Sequence, residues 1–266
     1  MYPVIMCIAK KEHDYIEEFV KYHLAIGFLH IFIYDNEDQP TYATLLDKYI
    51  SDGNVTVLHL PGKHQNLAIQ YVAMFHFMEN MMRIPTITHI AHIDIDEFIV
   101  LKKHANICDF IREYIVGDCA GIGINWRFFG SSNHTEKSSI PVTQRFTMCE
   151  EKGNKHIKTL FKKEYYRQYN MVHDIITTYG NIQSTKGHVI KGPYNDDADL
   201  SVIQINHYKC KTLPEFRYIR ERGLADVVID EPEDVDANFR LYNINEVEDL
   251  TAKEFYARVL EEEKSM

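Results

Sequence analysis

The first hundred residues alternate between short apolar runs and amphipathic stretches, and this rhythm constrains the fold more than any other feature. "VIMCIA" at 4–9 is a continuous apolar run, which marks a strand covered on both faces. In the "KEHDYIEEFVKYHLAIG" that follows, Ile16, Phe19, Val20, His23 and Leu24 recur at helical spacing, and Gly27 supplies a stop. The same reading predicts a strand at 30–35, a helix at 41–53 ending at Gly53, a strand at 55–60 and a helix over 66–83 closed by Pro85. A fourth strand carries "THIAHIDIDEFIVL", residues 88–101. Strands alternating with helices pair in parallel through right-handed crossovers, and such open sheets bind ligands beyond the carboxyl ends of their strands.

That rule predicts a single rim. Lys10, Lys11 and Glu12 follow the first strand, Asp35 and Asn36 the second, and Asp94 and Asp96 the fourth. Read as strand residues two apart, Asp94 and Asp96 point to the same face. Neighbouring carboxylates repel unless a proton or cation lies between them. A hard divalent ion such as Mg²⁺ or Mn²⁺ takes oxygen ligands and completes its shell with substrate phosphates. The D-x-D therefore points to a metal-bridged diphosphate, with Lys10 placed to balance its charge. The competing reading is a pair of acids capping a loop or a helix N-terminus.

Beyond residue 100 the rhythm changes. "CAGIGINWRFFGSS" reads as a strand that breaks into a Gly/Ser loop, while "SIPVTQRFTM", "HIKTLFKKE" and "SVIQINHY" read as further strands or extended pieces, and 177–200 is turn-rich. "TAKEFYARVLEEEKSM" opens with Thr251 and Glu254 in a capping-box pattern, which predicts a helical tail. The expected organisation is one α/β domain over 1–225 and a helical extension over 226–266. A chain of 266 residues can bury one sizeable core. Its net charge of −10 argues against a duplex nucleic-acid partner. Five scattered cysteines without a CxxC pair fit free thiols in a reducing compartment. With no leader-like start and no run of about 18 apolar residues, a cytoplasmic location is expected, any peripheral membrane association being made through a substrate.

The blocks "CIAKKEHDYIEEFVKYHLAIGFLHIFIYDNED", "AHIDIDEFI", "INWRFFGSSNH" and "INHYKCKTLPEFRYIRERG", in this order over residues 4 to 225, resemble glycosyltransferase family 92 and its bacterial and viral relatives. Where that family usually reads K-N-E and then E-W, this chain has Lys10-Lys11-Glu12 and Glu18-Phe19. The resemblance implies a GT-A (Rossmann-like) fold, with a mostly parallel central sheet and flanking helices, and a nucleotide-sugar donor. The implied reaction is metal-dependent transfer of a hexose from a UDP-sugar to a hydroxyl of a glycan or glycoconjugate acceptor, with inversion. The resemblance also implies roles for individual residues. Glu12 and Asp35 would lie near the uracil and ribose, where carboxylates accept hydrogen bonds from hydroxyls and a base N–H. Gln70 matches a family pattern here made of Gln70, Ala73 and His76, and Ile95 would line the donor site beside Asp94. His207, in the shared "INHY", would join Asp94 and Asp96 as a metal ligand, and its nitrogen suits Mn²⁺ better than Mg²⁺. The catalytic base falls a few dozen residues before that histidine, which makes Asp174 of "MVHDII" the first candidate and His173 the second; His134 and Glu136 are rivals.

Each role has a plainer counterpart. Glu12 suits the first turn of a helix, Asp35 a turn, Gln70 a solvated helix face, His207 a strand end, and His64, His76 and His92 ordinary core or surface positions. Trp126 either packs in the core or, with the Gly/Ser loop after it, stacks on an acceptor sugar. Arg217, Arg220 and Arg222 read as a solvated helix face or as phosphate partners. Two rival functions stay open. A nucleotidyltransferase would need a Gly-rich phosphate loop that "CIAKKEHDY" lacks. A nucleotide-sugar-binding module without catalysis would differ only in turnover.

Overall fold

Four parallel strands stand where the apolar runs predict them. In the computed structural model, which describes residues 1–228 and 234–265, the chain begins with β1 (Pro3–Ala9), α1 (Ile16–Ala25), β2 (His30–Asp35), the short helices α2 (Tyr42–Leu45) and α3 (Asp47–Ser51), and β3 (Val55–His59). Next come α4 (Ile69–Met81), β4 (His89–His92), β5 (Glu97–Leu101), α5 (Ile107–Tyr114) and β6 (Cys119–Phe128). The helix α6 (Val142–Arg145) precedes β7 (Met148–Cys149), β8 (Ile157–Lys162), β9 (Tyr166–Tyr169), β10 (Ile175–Thr177), β11 (Asn181–Gln183) and β12 (Ile203–His207). The chain closes with α7 (Leu213–Arg220), α8 (Val235–Tyr242), β13 (Val247–Glu248) and α9 (Thr251–Ser265).

The central sheet runs β3-β2-β1-β4-β8-β6-β12-β5, with β11 beside β6. β3, β2, β1 and β4 are parallel, β8 enters antiparallel between β4 and β6, and β12 is parallel to β6 and antiparallel to β5. Alternate residues of β1 divide two cores: Ile5, Cys7 and Ala9 pack with α1 and α9, while Val4 and Met6 pack with α4. This is the two-residue period of a strand covered on both faces. The fold is the expected α/β class, a mostly parallel sheet with flanking helices and a C-terminal helix.

Four expectations need correction. The run 88–101 is not one strand. β4 ends at His92, β5 begins at Glu97, and Asp94 and Asp96 occupy the turn between them. β4 pairs with β1 and β8, whereas β5 lies at the other end of the sheet against β12, so the chain must leave one strand line for another between two apolar halves. The helix at 41–53 splits at Leu46, whose dihedrals (φ −108°, ψ 17°) leave the helical region as its side chain enters the core. "SIPVTQRFTM" contains a helical turn, because the buried Glu18 carboxylate of α1 accepts the Val142 and Thr143 N–H groups at 2.7 and 3.0 Å. At the tail, the Thr251 hydroxyl accepts from Lys102 Nζ at 2.7 Å, and the capping box forms instead at Thr212 and Glu215, where α7 begins. The tail is bound into the main body: Ala252 and Tyr256 lie in the core around α1, and β13 pairs with β7.

Candidate active site

The turn between β4 and β5 is fixed by its neighbours on both sides. The Asp94 N–H donates to Glu97 Oε2 at 2.9 Å, and the Asp96 carbonyl accepts the Tyr208 N–H at 2.8 Å. β12 pairs His207 with Glu97, which brings the imidazole beside Asp96. The parallel strands deliver Lys10, Glu12 and Asn36 to the same end of the sheet, and α4 adds Gln70. Together they line a cavity of about 200 Å³, closed on its far side by Trp126, by His173, and by Phe216, Arg222 and the residues 223–226 that follow α7.

Electrostatics divides the three acids of the turn. Lys158 Nζ, fully buried on β8, lies 3.0 Å from Asp94 Oδ2 and 3.7 Å from Glu97 Oε2. Burial pushes the Glu97 carboxyl well up, so Asp94 is the acid that carries the charge paired with Lys158. The second oxygen of Asp94 accepts from Gln70 Nε2 at 2.9 Å. Burial also opposes the charge on Asp96, but His207 when protonated, together with the fixed charges of Lys211 and Arg222, outweighs it and holds that carboxyl below its usual range. His207 is held down by its own burial and is neutral. Its Nε2 lies 3.6 Å from Asp96 Oδ2, too far for a hydrogen bond.

The basic side of the cavity is built by Arg222, whose guanidinium donates to the Lys10 carbonyl at 2.6 Å and to Glu12 Oε1. Desolvation raises the Glu12 carboxyl, against the opposing pull of Arg222 and Lys211, and its Oε2 has no partner among the described residues. Lys209 and Arg220 also line the cavity.

The structure brings together most of the residues singled out from sequence: Lys10, Glu12, Gln70, Asp94, Ile95, Asp96, His173 and His207 all face one cavity. Asp35 does not. Fully buried, it accepts the N–H groups of Glu37 (3.0 Å), Thr41 (2.8 Å) and Tyr42 (3.2 Å), and so shapes the turn after β2. Nor does Asp174, the first-ranked base, which lines a different cavity. His134 lies outside the cavity lining, its ring 3.0 Å from the Arg145 carbonyl. His76 hydrogen-bonds Tyr34, and His92 is buried in an internal pocket with Thr159 and Tyr169. Trp126 lines the cavity and stacks on His156. The Gly/Ser loop after it holds the C-terminal segment instead: Ser131 and Ser132 donate N–H groups to Asn243 and Asn245, and a Cβ on Gly130 would sit 2.4 Å from the Ile244 oxygen. Arg217 pairs with Asp236, away from the cavity.

Sequence reading missed Lys158 and underrated Arg222. A lysine in the apolar strand "HIKTLFK" is the same signal as an acid in a core strand, since a charge there needs a partner.

The residues near Asp96 fit a divalent cation in part. A carboxylate and a neutral imidazole 3.6 Å apart are a hard and a borderline donor placed to share one ion. Asp94 lies in the same turn with Oδ1 accepting from Gln70 and Oδ2 from Lys158, partners with which a cation would compete. Among the described residues, no group of three or more His, Cys, Asp or Glu side chains is arranged to hold a metal. No helix among them is long and apolar enough to cross a membrane.

Comparison with known proteins adds the family. No curated protein matches the chain. Among solved structures, the crystal structure of S. aureus TarS 1–349 aligns at TM-score 0.37 and 12% identity, covering 62% of this chain and 48% of that one. The same fragment in complex with UDP aligns at 0.35 and 14%, covering 52% and 38%. A further S. aureus TarS structure aligns at 0.40 and 10%, covering 90% and 43%, so the chain spans less than half the length of each of these proteins. The family whose pattern matches is described as Glycosyltransferase family 92, over residues 2–249, and the chain belongs to it.

Proposed function

We propose that this chain is a metal-dependent glycosyltransferase that moves a hexose from a UDP-sugar to a hydroxyl of a glycan or glycoconjugate, with inversion. The observation that supports this most is one cavity where an ionised Asp96 and a neutral His207 meet a basic wall of Arg222, Lys209 and Lys10. Such a wall suits a diphosphate, and two protein donors leave open positions for phosphate oxygens on a shared ion. When bound, Mn²⁺ or Mg²⁺ would be held by Asp96 and His207 and would stabilise charge on the departing diphosphate. Glu12 and Gln70 border the part of the cavity left for the nucleoside, and the unpartnered Glu12 Oε2 can accept from a ribose hydroxyl or the uracil N–H.

His173 is the base in this reading. Its Nδ1 lies 3.1 Å from the Ile157 carbonyl, which only accepts, so Nδ1 carries the hydrogen and Nε2 keeps its lone pair. Burial, reinforced by the Lys158 ammonium, pushes the ring down to about 3 and keeps it neutral in the free protein. A diphosphate in the same cavity would pull it back up, toward the range where a base takes the acceptor proton well. As the acceptor oxygen attacks the anomeric carbon from the face opposite the diphosphate, Nε2 takes its proton.

Incubating the protein with a panel of UDP- and GDP-sugars, with Mn²⁺ or with a chelator, tests this reading. UDP release that needs the cation is expected. Pyrophosphate release would indicate nucleotidyl transfer, and nucleotide binding without turnover would indicate a module that has lost catalysis.

A further inference from the structure

Asp174 lies outside the donor-cavity lining, and the space it does line suggests a second site. Residues 170–175 run between two larger cavities: Val172 and His173 line the donor cavity, Asp174 and Ile175 line a second cavity of about 300 Å³, and all four also border a small internal pocket with His92 and Tyr169. That volume is at the lower end of the roughly 300–1,000 Å³ typical of ligand pockets. Asp174 is only 6% exposed. One of its oxygens accepts from Asn170 Nδ2 at 3.0 Å, and the other, Oδ1, has no partner among the described residues. Leaving a buried oxygen unpartnered is costly, so a ligand or solvent group that donates to it is favoured.

The rest of the lining indicates the ligand's chemistry. Ile175, Ile182 and Ile190 give an apolar floor, while Asn170, Thr177 and Asn181 bring amide and hydroxyl groups that both donate and accept. A sugar ring presents the same pair of surfaces, an apolar face of C–H groups and a rim of hydroxyls. A phosphate or carboxylate would meet a single lysine, Lys191, opposed by Asp174. Burial raises the Asp174 carboxyl from its usual range.

We infer that this second cavity is a subsite for a neutral sugar residue of the acceptor, one unit removed from the residue that receives the transferred sugar. The inference rests on the glycosyltransferase reading and deepens it. Asp174 is then an acceptor-binding residue rather than the base, and the segment 170–175 runs between the donor and acceptor chambers.

The test titrates the full chain with D-glucose, D-galactose, D-mannose, N-acetylglucosamine and trisaccharides of each, by ligand-observed NMR, alongside a separate UDP titration. Binding of at least one sugar is expected. Asp174→Asn and Asn181→Leu should each weaken it about tenfold while affinity for UDP is retained. Asn181→Leu, at an exposed position, keeps the test valid where the Asp174 variant fails to fold. Wild-type protein that binds none of the sugars, or variants that bind them as well as wild type, would overturn the inference. Failure to bind UDP, with sugar binding intact and sensitive to both substitutions, would instead overturn the donor reading and leave the second site standing.

Discussion

Two buried carboxylate clusters in this protein use similar residues to opposite ends. Around Asp249, Oδ2 accepts from Lys102 at 2.6 Å, Arg127 at 2.9 Å and Gln204 at 3.0 Å, and Oδ1 accepts the Thr251 N–H at 3.0 Å. These partners come from the end of β5, from β6, from β12 and from the start of α9, so one carboxylate ties the tail to three strands. Around Asp96, the nearest imidazole stands off at 3.6 Å, and Glu12 Oε2, Glu97 Oε1 and His207 Nδ1 have no partners among the described residues. Both clusters put charge in places that cost solvation free energy. The first fills both oxygens of Asp249 within the fold and carries structure, although Gln204 Oε1 beside it has no partner among the described residues. The second leaves buried polar atoms unfilled beside the cavity that Glu12, Asp96 and His207 line.

Substitutions can break this contrast from either side. The largest effect is expected for Asp96→Ala, which should lower metal-dependent UDP release by about 100-fold or more with little change in thermal stability; a steady-state assay beside a melting curve reads both. Next, His173→Gln should cut turnover about 100-fold while UDP affinity measured by calorimetry holds, because the ring touches the acceptor proton and not the nucleotide. On the structural side, Asp249→Ala leaves Lys102 and Arg127 without their shared partner and should destabilise the fold by about 3 kcal/mol in urea titrations, with the folded fraction still binding UDP. If instead Asp96→Ala unfolded the protein and Asp249→Ala left its stability unchanged, the two clusters would have been assigned the wrong way round.

The smallest effect sharpens the structural half through pH. His23 of α1 is fully buried: its Nδ1 donates to the Phe19 carbonyl at 2.8 Å, and its Nε2 accepts the Ile99 N–H at 3.2 Å. Burial pushes this imidazole down to about 3 from an ordinary 6.5. A depressed histidine contributes stability that is present above pH 6.5 and is lost as pH falls, because the unfolded chain takes up the proton first. Below pH 6.5 the loss should approach about 1.4 kcal/mol per pH unit. The difference in unfolding free energy between wild type and His23→Gln, measured at pH 7.5 and pH 5, should show wild type losing more; parallel losses would remove His23 as the cause.

Much of this fold could be read from patterning, since β1, β2, β3 and α4 follow from local period and from stop residues such as Gly27, whose φ of +101° suits glycine. The site was legible only in outline. Rim positions follow from strand ends, which is why Lys10, Glu12 and Asp96 meet. The break at Asp94–Asp96 was hidden because both flanks are apolar, and it exists because β5 pairs with β12, more than a hundred residues later. Asp35 was decided by backbone N–H groups only two to seven residues away. His173 and Asp174 are sequence neighbours, and nothing local shows which of two adjacent side chains enters a cavity. Lys158 was legible in principle, since a core strand does not carry an ammonium without an acid to meet it.

The most direct test of the central claim is Mn²⁺ binding followed by electron paramagnetic resonance, with and without UDP. Binding strengthened by UDP is predicted for wild type and for Asp249→Ala, and its loss is predicted for Asp96→Ala and His207→Ala. Manganese held as tightly by Asp96→Ala as by wild type, or by neither in the presence of UDP, would contradict the account.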